Sequence, residues 1–148
     1  MSKLYLNLRH FARATTLFSN ASSRAVGGLH RNLHATGVKQ DIFNIQDKED
    51  FKQRVLNSDK PVLIDFHAKW CGPCKQLTPR LETALQQFKD DVHLAKVDID
   101  ENDDLAMEYM VSAVPVVFAV KGGNVADKFI GLQELDRITS FIRSLLDK

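Results

Sequence analysis

Cys71 and Cys74 are the only cysteines in 148 residues, and they lie three apart in the stretch His67-Ala-Lys-Trp-Cys-Gly-Pro-Cys-Lys75. Two thiols at that spacing can clamp a metal, staple a fold or form a reactive pair. A closed zinc site needs four ligands. With two cysteines, His67 and His93 would have to supply the rest, and they form no recognised paired spacing. A C-x-x-C alone does not decide, because it is also half of many zinc sites. A reactive pair needs a stabilised thiolate. Cys71 is expected at the end of a strand and the start of a helix, where unpaired N–H groups and the helix dipole favour an anion. Cys74 follows one turn on, close enough to close a small ring with Cys71. Such a pair exchanges disulfides: Cys71 attacks a target disulfide, a mixed disulfide forms, and Cys74 displaces the product.

The elements that must position this pair are readable around it. Ile42, Phe43 and Ile45 suggest a short strand, and Asp47 can cap a helix running to about Asn57 with Phe51, Val55 and Leu56 inside. Val62-Leu-Ile-Asp-Phe66 is nearly continuously apolar, as in a strand buried on both faces. A helix is expected from Cys74 to about Phe88, with Leu77, Leu81, Ala84, Leu85 and Phe88 inside and Pro79 kinking it. A strand from Val92, a short helix Glu101–Tyr109 and a strand Pro115–Val120 come next. A turn at Gly122-Gly-Asn124, a strand to Ile130 and an amphipathic helix Glu134–Leu146 complete the series. The order β-α-β-α-β-α-β-β-α predicts an α/β fold, a central mixed sheet with helices on both faces. The early helix-joined strands should be parallel and the last two antiparallel.

Charge divides the chain. Residues 1–40 carry six cations and no acid, while 41–148 carry 14 basic and 19 acidic residues, within a formal net charge of +1. The first piece is rich in Arg, Ser, Thr, Ala and His, the composition of an organellar transit peptide. Leu4, Leu8, Phe11, Thr15 and Phe18 can line one side of a helix, with Arg9 and Arg13 opposite. Arg31-Asn-Leu-His-Ala35 resembles a matrix-protease site, so residues 1–38 are expected to be a transit segment, cut near 33/34, and 39–148 the folded domain. The scattered cations argue against nucleic acid. No run of about 18 apolar residues exists to span a membrane. In a reducing matrix a static disulfide staple is disfavoured.

Trp70-Cys-Gly-Pro-Cys74 resembles the active-site signature of the thioredoxin family, and further matches follow in order across residues 41–148. They are Ile64-Asp-Phe66 before the motif, Lys75 and Pro79 after it, Ala95-Lys-Val-Asp98, Val114-Pro115, Lys121-Gly-Gly123 and Phe129-Ile-Gly131. The resemblance implies the thioredoxin fold and a protein-disulfide reductase, mitochondrial given the leader. It implies Cys71 as nucleophile, Cys74 as resolving thiol, and Asp65 moving a proton at Cys74, with Lys96 pairing with Asp65 and tuning it. Gly72 and Pro73 would form the active-site turn. Pro115 would be cis, and Trp70, Gly72, Pro73, Val114, Pro115 and Gly131 would form a flat rim for protein targets. Plainer roles remain open: a solvent-facing Asp65, a surface Lys96, a strand-starting Pro115 and a core Trp70. No cofactor is expected beyond the redox disulfide, with NADPH used through thioredoxin reductase and peroxiredoxins among the targets. With no third cysteine for a cysteine-based dimer, a monomer is expected.

Two positions depart from the family pattern. His67 stands where many relatives carry tryptophan, and it is expected to hydrogen-bond Asp100 in place of that indole. Val116 replaces a usual threonine and removes a hydroxyl near the site. A disulfide oxidase or isomerase and a non-catalytic binding module are the competing functions. Gly-Pro between the cysteines argues for a reductant over an oxidant.

Overall fold

The computed structural model describes residues 42–147 except Lys89; the expected transit segment and its cut lie outside the described residues. Five strands form one mixed sheet: β1 (Ile42–Asn44), β2 (Val62–His67), β3 (His93–Asp98), β4 (Val116–Lys121) and β5 (Asn124–Ile130), in the order β1-β3-β2-β4-β5. Among the described residues, α1 (Lys48–Phe51), widening into a π-helical stretch Lys52–Leu56, α2 (Gly72–Leu85) and α3 (Asp103–Glu108) connect successive strands, and α4 (Leu135–Leu146) follows β5. Among the described residues no helix is long and apolar enough to cross a membrane.

Period-two alternation in β2 decides what each side of the sheet buries. Val62, Ile64 and Phe66 face α1 and α3, where they pack with Phe43, Phe51, Val55, Val97, Leu105 and Phe118. Leu63 faces the other way, under Leu77, Leu81 and Leu85 of α2 and Ile138, Ile142 and Leu145 of α4. Asp65 falls on that second face, beneath α2. The expected helix-on-both-faces arrangement is therefore present.

Three expectations need correction. α2 begins at Gly72, two residues before the expected Cys74. Cys71 is its cap, and Pro73 occupies the first turn, where its missing N–H costs no helical bond. The strand expected from Pro115 starts at Val116. β4 is reached through a helix yet runs antiparallel to β2, while β1 and β2 both run parallel to β3. The register records the reversal: Val116, the first residue of β4, pairs with Phe66 near the end of β2. The chain therefore re-enters the sheet from the end at which it left.

Local chemistry supports these elements. The Asp47 carboxylate accepts the Asp50 N–H at 2.8 Å, and the Asp50 carboxylate accepts the Gln46 N–H at 3.1 Å. Asp47→Ala is expected to lower stability by about 1 kcal/mol, seen as an earlier urea midpoint with an unchanged slope. In the β4–β5 turn, Gly122 and Gly123 have φ of +57° and +76°, as a two-residue hairpin turn requires.

Candidate active site

β2, the central strand, ends at His67, and the Cys71 N–H turns back to the Ala68 carbonyl at 3.1 Å. Cys71 then caps α2 in an extended conformation (φ −79°, ψ 108°), and its Sγ accepts the Cys74 N–H at 3.2 Å. Cys71 and Cys74 are joined by a disulfide, S–S 2.07 Å, across a Cα–Cα distance of 5.3 Å. Both are buried, at 4% and 3% exposure, against Ala68, Ile99 and Val114. When the bond opens, the sulfur at the cap keeps a backbone donor and the positive end of a 14-residue helix. Both favour the thiolate over the thiol.

Asp65 lies on the face of β2 that α2 covers and is fully buried; Thr78, one turn of α2 beyond Cys74, reaches it. Its Oδ2 accepts the Thr78 hydroxyl at 2.8 Å, and its Oδ1 has no partner. Burial pushes its pKa up; the Thr78 bond and the charges of His67 and Lys96 pull the other way, and Glu82 adds to the rise. Desolvation of the carboxylate is the leading cause. The expected Lys96–Asp65 ion pair is not the one formed. Lys96 is the register partner of Asp65, but its Nζ bonds Glu82 Oε1 at 3.2 Å. A long flexible stem lets the ammonium reach the better-hydrated carboxylate on α2. Lys96 acts on Asp65 only as a nearby charge.

Thr78 and Glu82 were missed from sequence. Their signal was spacing: Cys74, Thr78 and Glu82 recur every four residues, so one stripe of α2 faces the Asp65 side of the sheet. An open cleft of about 310 Å³ runs along that stripe, lined by His67, Cys74, Lys75, Thr78, Pro79 and Glu82. It gives water a route to Cys74.

Trp70 is 68% exposed beside the cysteines, so it is not a core aromatic. Its Nε1 donates to Asp100 Oδ2 at 3.0 Å. This overturns the expected His67–Asp100 bond: the donor is the tryptophan within the motif, and His67 turns instead to the face of Asp65. The Val114–Pro115 bond is cis, and Val114 packs against the cystine. The Gly131 N–H donates to the Pro115 carbonyl at 2.9 Å and ties the end of β5 to that loop. A Cβ on Gly72 or Gly131 would meet nothing within 4 Å, which leaves room for an approaching backbone. Pro73 is also exposed. Trp70, Gly72, Pro73, Val114 and Gly131 thus surround the cystine, with Pro115 buried behind them. Val116 points into the aromatic core with Phe66 and Phe118, so its methyl groups fill space there.

The zinc alternative loses its ligands. His93 is the register partner of Val62 and His67 that of Asp98, at opposite ends of the paired strands. Five residues of strand separate such positions by about 16 Å. Among the described residues no group of three or more His, Cys, Asp or Glu could hold a metal ion.

A family model described as thioredoxin matches residues 42–144. The mitochondrial thioredoxins of Rattus norvegicus and Mus musculus are each 52% identical to the chain over 116 residues, 78% of its length and 70% of theirs. The thioredoxin of Rickettsia felis is 41% identical over 99 residues, 67% of the chain and 93% of its own length.

Proposed function

The chain belongs to the thioredoxin family and is a thiol-disulfide oxidoreductase; from that premise we propose that it is a general protein-disulfide reductase of the mitochondrial matrix. The observation that carries the reading is the Cys71–Cys74 cystine capping α2, with buried Asp65 on the strand that this helix covers. The reduced Cys71 thiolate attacks a sulfur of the target disulfide, and the first target thiolate leaves. Cys74 gives its proton to Asp65 and attacks Cys71 Sγ. The Cys71–Cys74 bond forms, the bond from Cys71 to the target breaks, and the second target thiolate leaves. Asp65 suits that step, because a desolvated carboxylate binds a proton more readily than a solvated one. The rim holds an extended target segment by pairing with the Val114 backbone.

Electrons enter from an NADPH-dependent thioredoxin reductase and leave to disulfide-bearing proteins, peroxiredoxins among them. The cystine is the redox group, so no bound nucleotide or metal is invoked. The mitochondrial assignment draws support from relatives bearing that name and from the basic, acid-free first 40 residues. The chain acts as a monomer.

The test couples the full chain to thioredoxin reductase, NADPH and a protein disulfide. Catalytic NADPH consumption is expected; its absence from folded, oxidised protein would refute the reductase reading. Import into isolated, energised mitochondria with shortening near residue 33 tests the location. Trp70→Phe keeps the ring and removes the bond to Asp100. It should raise KM for a protein disulfide about threefold with kcat little changed.

A further inference from the structure

The exchange mechanism above leaves His67 without a task, yet the fold places it beside the proton path. It follows Asp65 by two residues on the same face of β2, and its register partner is the buried Asp98. It is half-buried. On one side it lines the cleft that holds Cys74, Thr78 and Glu82. On the other it lines a second cleft, of about 180 Å³, with Lys69, Lys96, Asp98 and Glu101. Asp65 itself is sealed from solvent, with one oxygen on Thr78 and the other unpartnered. A proton that reaches Asp65 needs a way out.

Resting on the dithiol-exchange reading, we infer that His67 is a positioning residue whose imidazole carries between cleft water and Asp65 the proton that Asp65 exchanges with Cys74. In the resolving step the Cys74 proton moves to ionised Asp65, and the Cys74 thiolate displaces the target from Cys71. Within that same step Asp65 hands the proton on to His67, which releases it to the cleft, so that it does not return to Cys74 before the thiolate attacks. The departing target thiolate takes a proton from bulk water. Other charged groups face Asp65: Glu82 from α2 and Lys96 from β3, while β4 offers only Val117 opposite it. Those two are bonded to each other. His67 is faced by Lys75 and Glu82 from α2, Lys96 and Asp98 from β3, and Lys69 and Glu101 from the loops. Of all these, an imidazole is the group that can accept a proton on one ring nitrogen while it donates one from the other. Its charged form also favours an ionised Asp65, which couples the two sites.

The experiment follows the resolving step of the full chain by stopped flow from pH 5 to 9, using Trp70, the only tryptophan. His67→Asn and His67→Ala should each slow the step roughly fivefold at pH 7, part of the hundredfold or more that positioned proton transfer contributes. Added imidazole should restore most of the rate to His67→Ala and none to Asp65→Asn. In an Asp65→Asn background, His67→Asn should have no further effect, because the two act in series. Wild-type rates in the variants would overturn the inference. So would a loss that imidazole does not rescue, or losses that multiply in the double variant. A wild-type chain with no exchange at all would overturn the reductase reading together with the inference.

Discussion

Cys71→Ser lowers turnover in the NADPH-coupled assay by on the order of a thousandfold or more, because the attacking atom is gone and nothing nearby replaces it. The chain has only one other cysteine, and its sulfur is one turn inside the helix rather than at the cap. The variant should still fold. Serine is a favoured helix cap and can accept the Cys74 N–H as the sulfur does. The loss is therefore chemical, and thermal unfolding of the reduced proteins should differ little. Cys74→Ser stops one step later. It should accumulate a covalent adduct with target proteins through Cys71, visible by non-reducing electrophoresis and released by dithiothreitol. Turnover by Cys71→Ser within tenfold of wild type would remove the assigned nucleophile. An adduct on Cys74 of that variant, with none on Cys71 of its counterpart, would reverse the two roles.

Asp65→Asn should stabilise the protein at neutral pH while slowing its chemistry. The carboxylate is fully buried and has one hydrogen bond for two oxygens. Burial raises its pKa above the unfolded value, so the native state holds the proton more tightly than the unfolded chain does. Below the ordinary carboxylate range, near pH 3.9, both states are protonated and the group is neutral to stability. As pH rises from there toward the raised value, the unfolded chain ionises first and stability falls. Above the raised value the penalty is complete. Removing the charge should recover about 1–3 kcal/mol at pH 7, and the gain should vanish near pH 3. Urea unfolding of wild type and variant across pH 3–9 measures it. Equal midpoints at every pH would mean that Asp65 bears no desolvation penalty. The same variant should resolve the mixed disulfide on the order of a hundredfold more slowly at pH 7.

Much of this site was legible in sequence because it depends on short-range rules. The apolar run Val62–Phe66 announced a buried strand, and Asp65 inside it announced a buried acid. The Asp47 cap, the helix faces of α2 and α4 and the glycine turn before β5 each rest on spacing within one element. Apart from element boundaries, such as the start of α2 at Gly72, the misread details cross between elements. Lys96 and Glu82 are bonded though 14 residues apart, and Trp70 and Asp100 though 30 apart. Side-chain reach, which alternation does not record, decided both partners. Strand direction is likewise absent from an apolar pattern: Val116–Lys121 reads the same either way. The family resemblance supplied the roles of Val114 and Gly131, whose own residue types say little. It also suggested a tryptophan-like task for His67, which the indole of Trp70 already performs.

The single cystine has a consequence for the molecule as a carrier. Each copy holds either two electrons or none, with no third thiol to store a partial load. A population of such two-level units behaves as a gauge. At equilibrium its ratio of loaded to empty copies changes about tenfold for each 30 mV in the surrounding poise. Flow through it is then set by copy number and by how fast each copy is refilled. One irreversible modification at either sulfur removes a whole copy from circulation rather than weakening it.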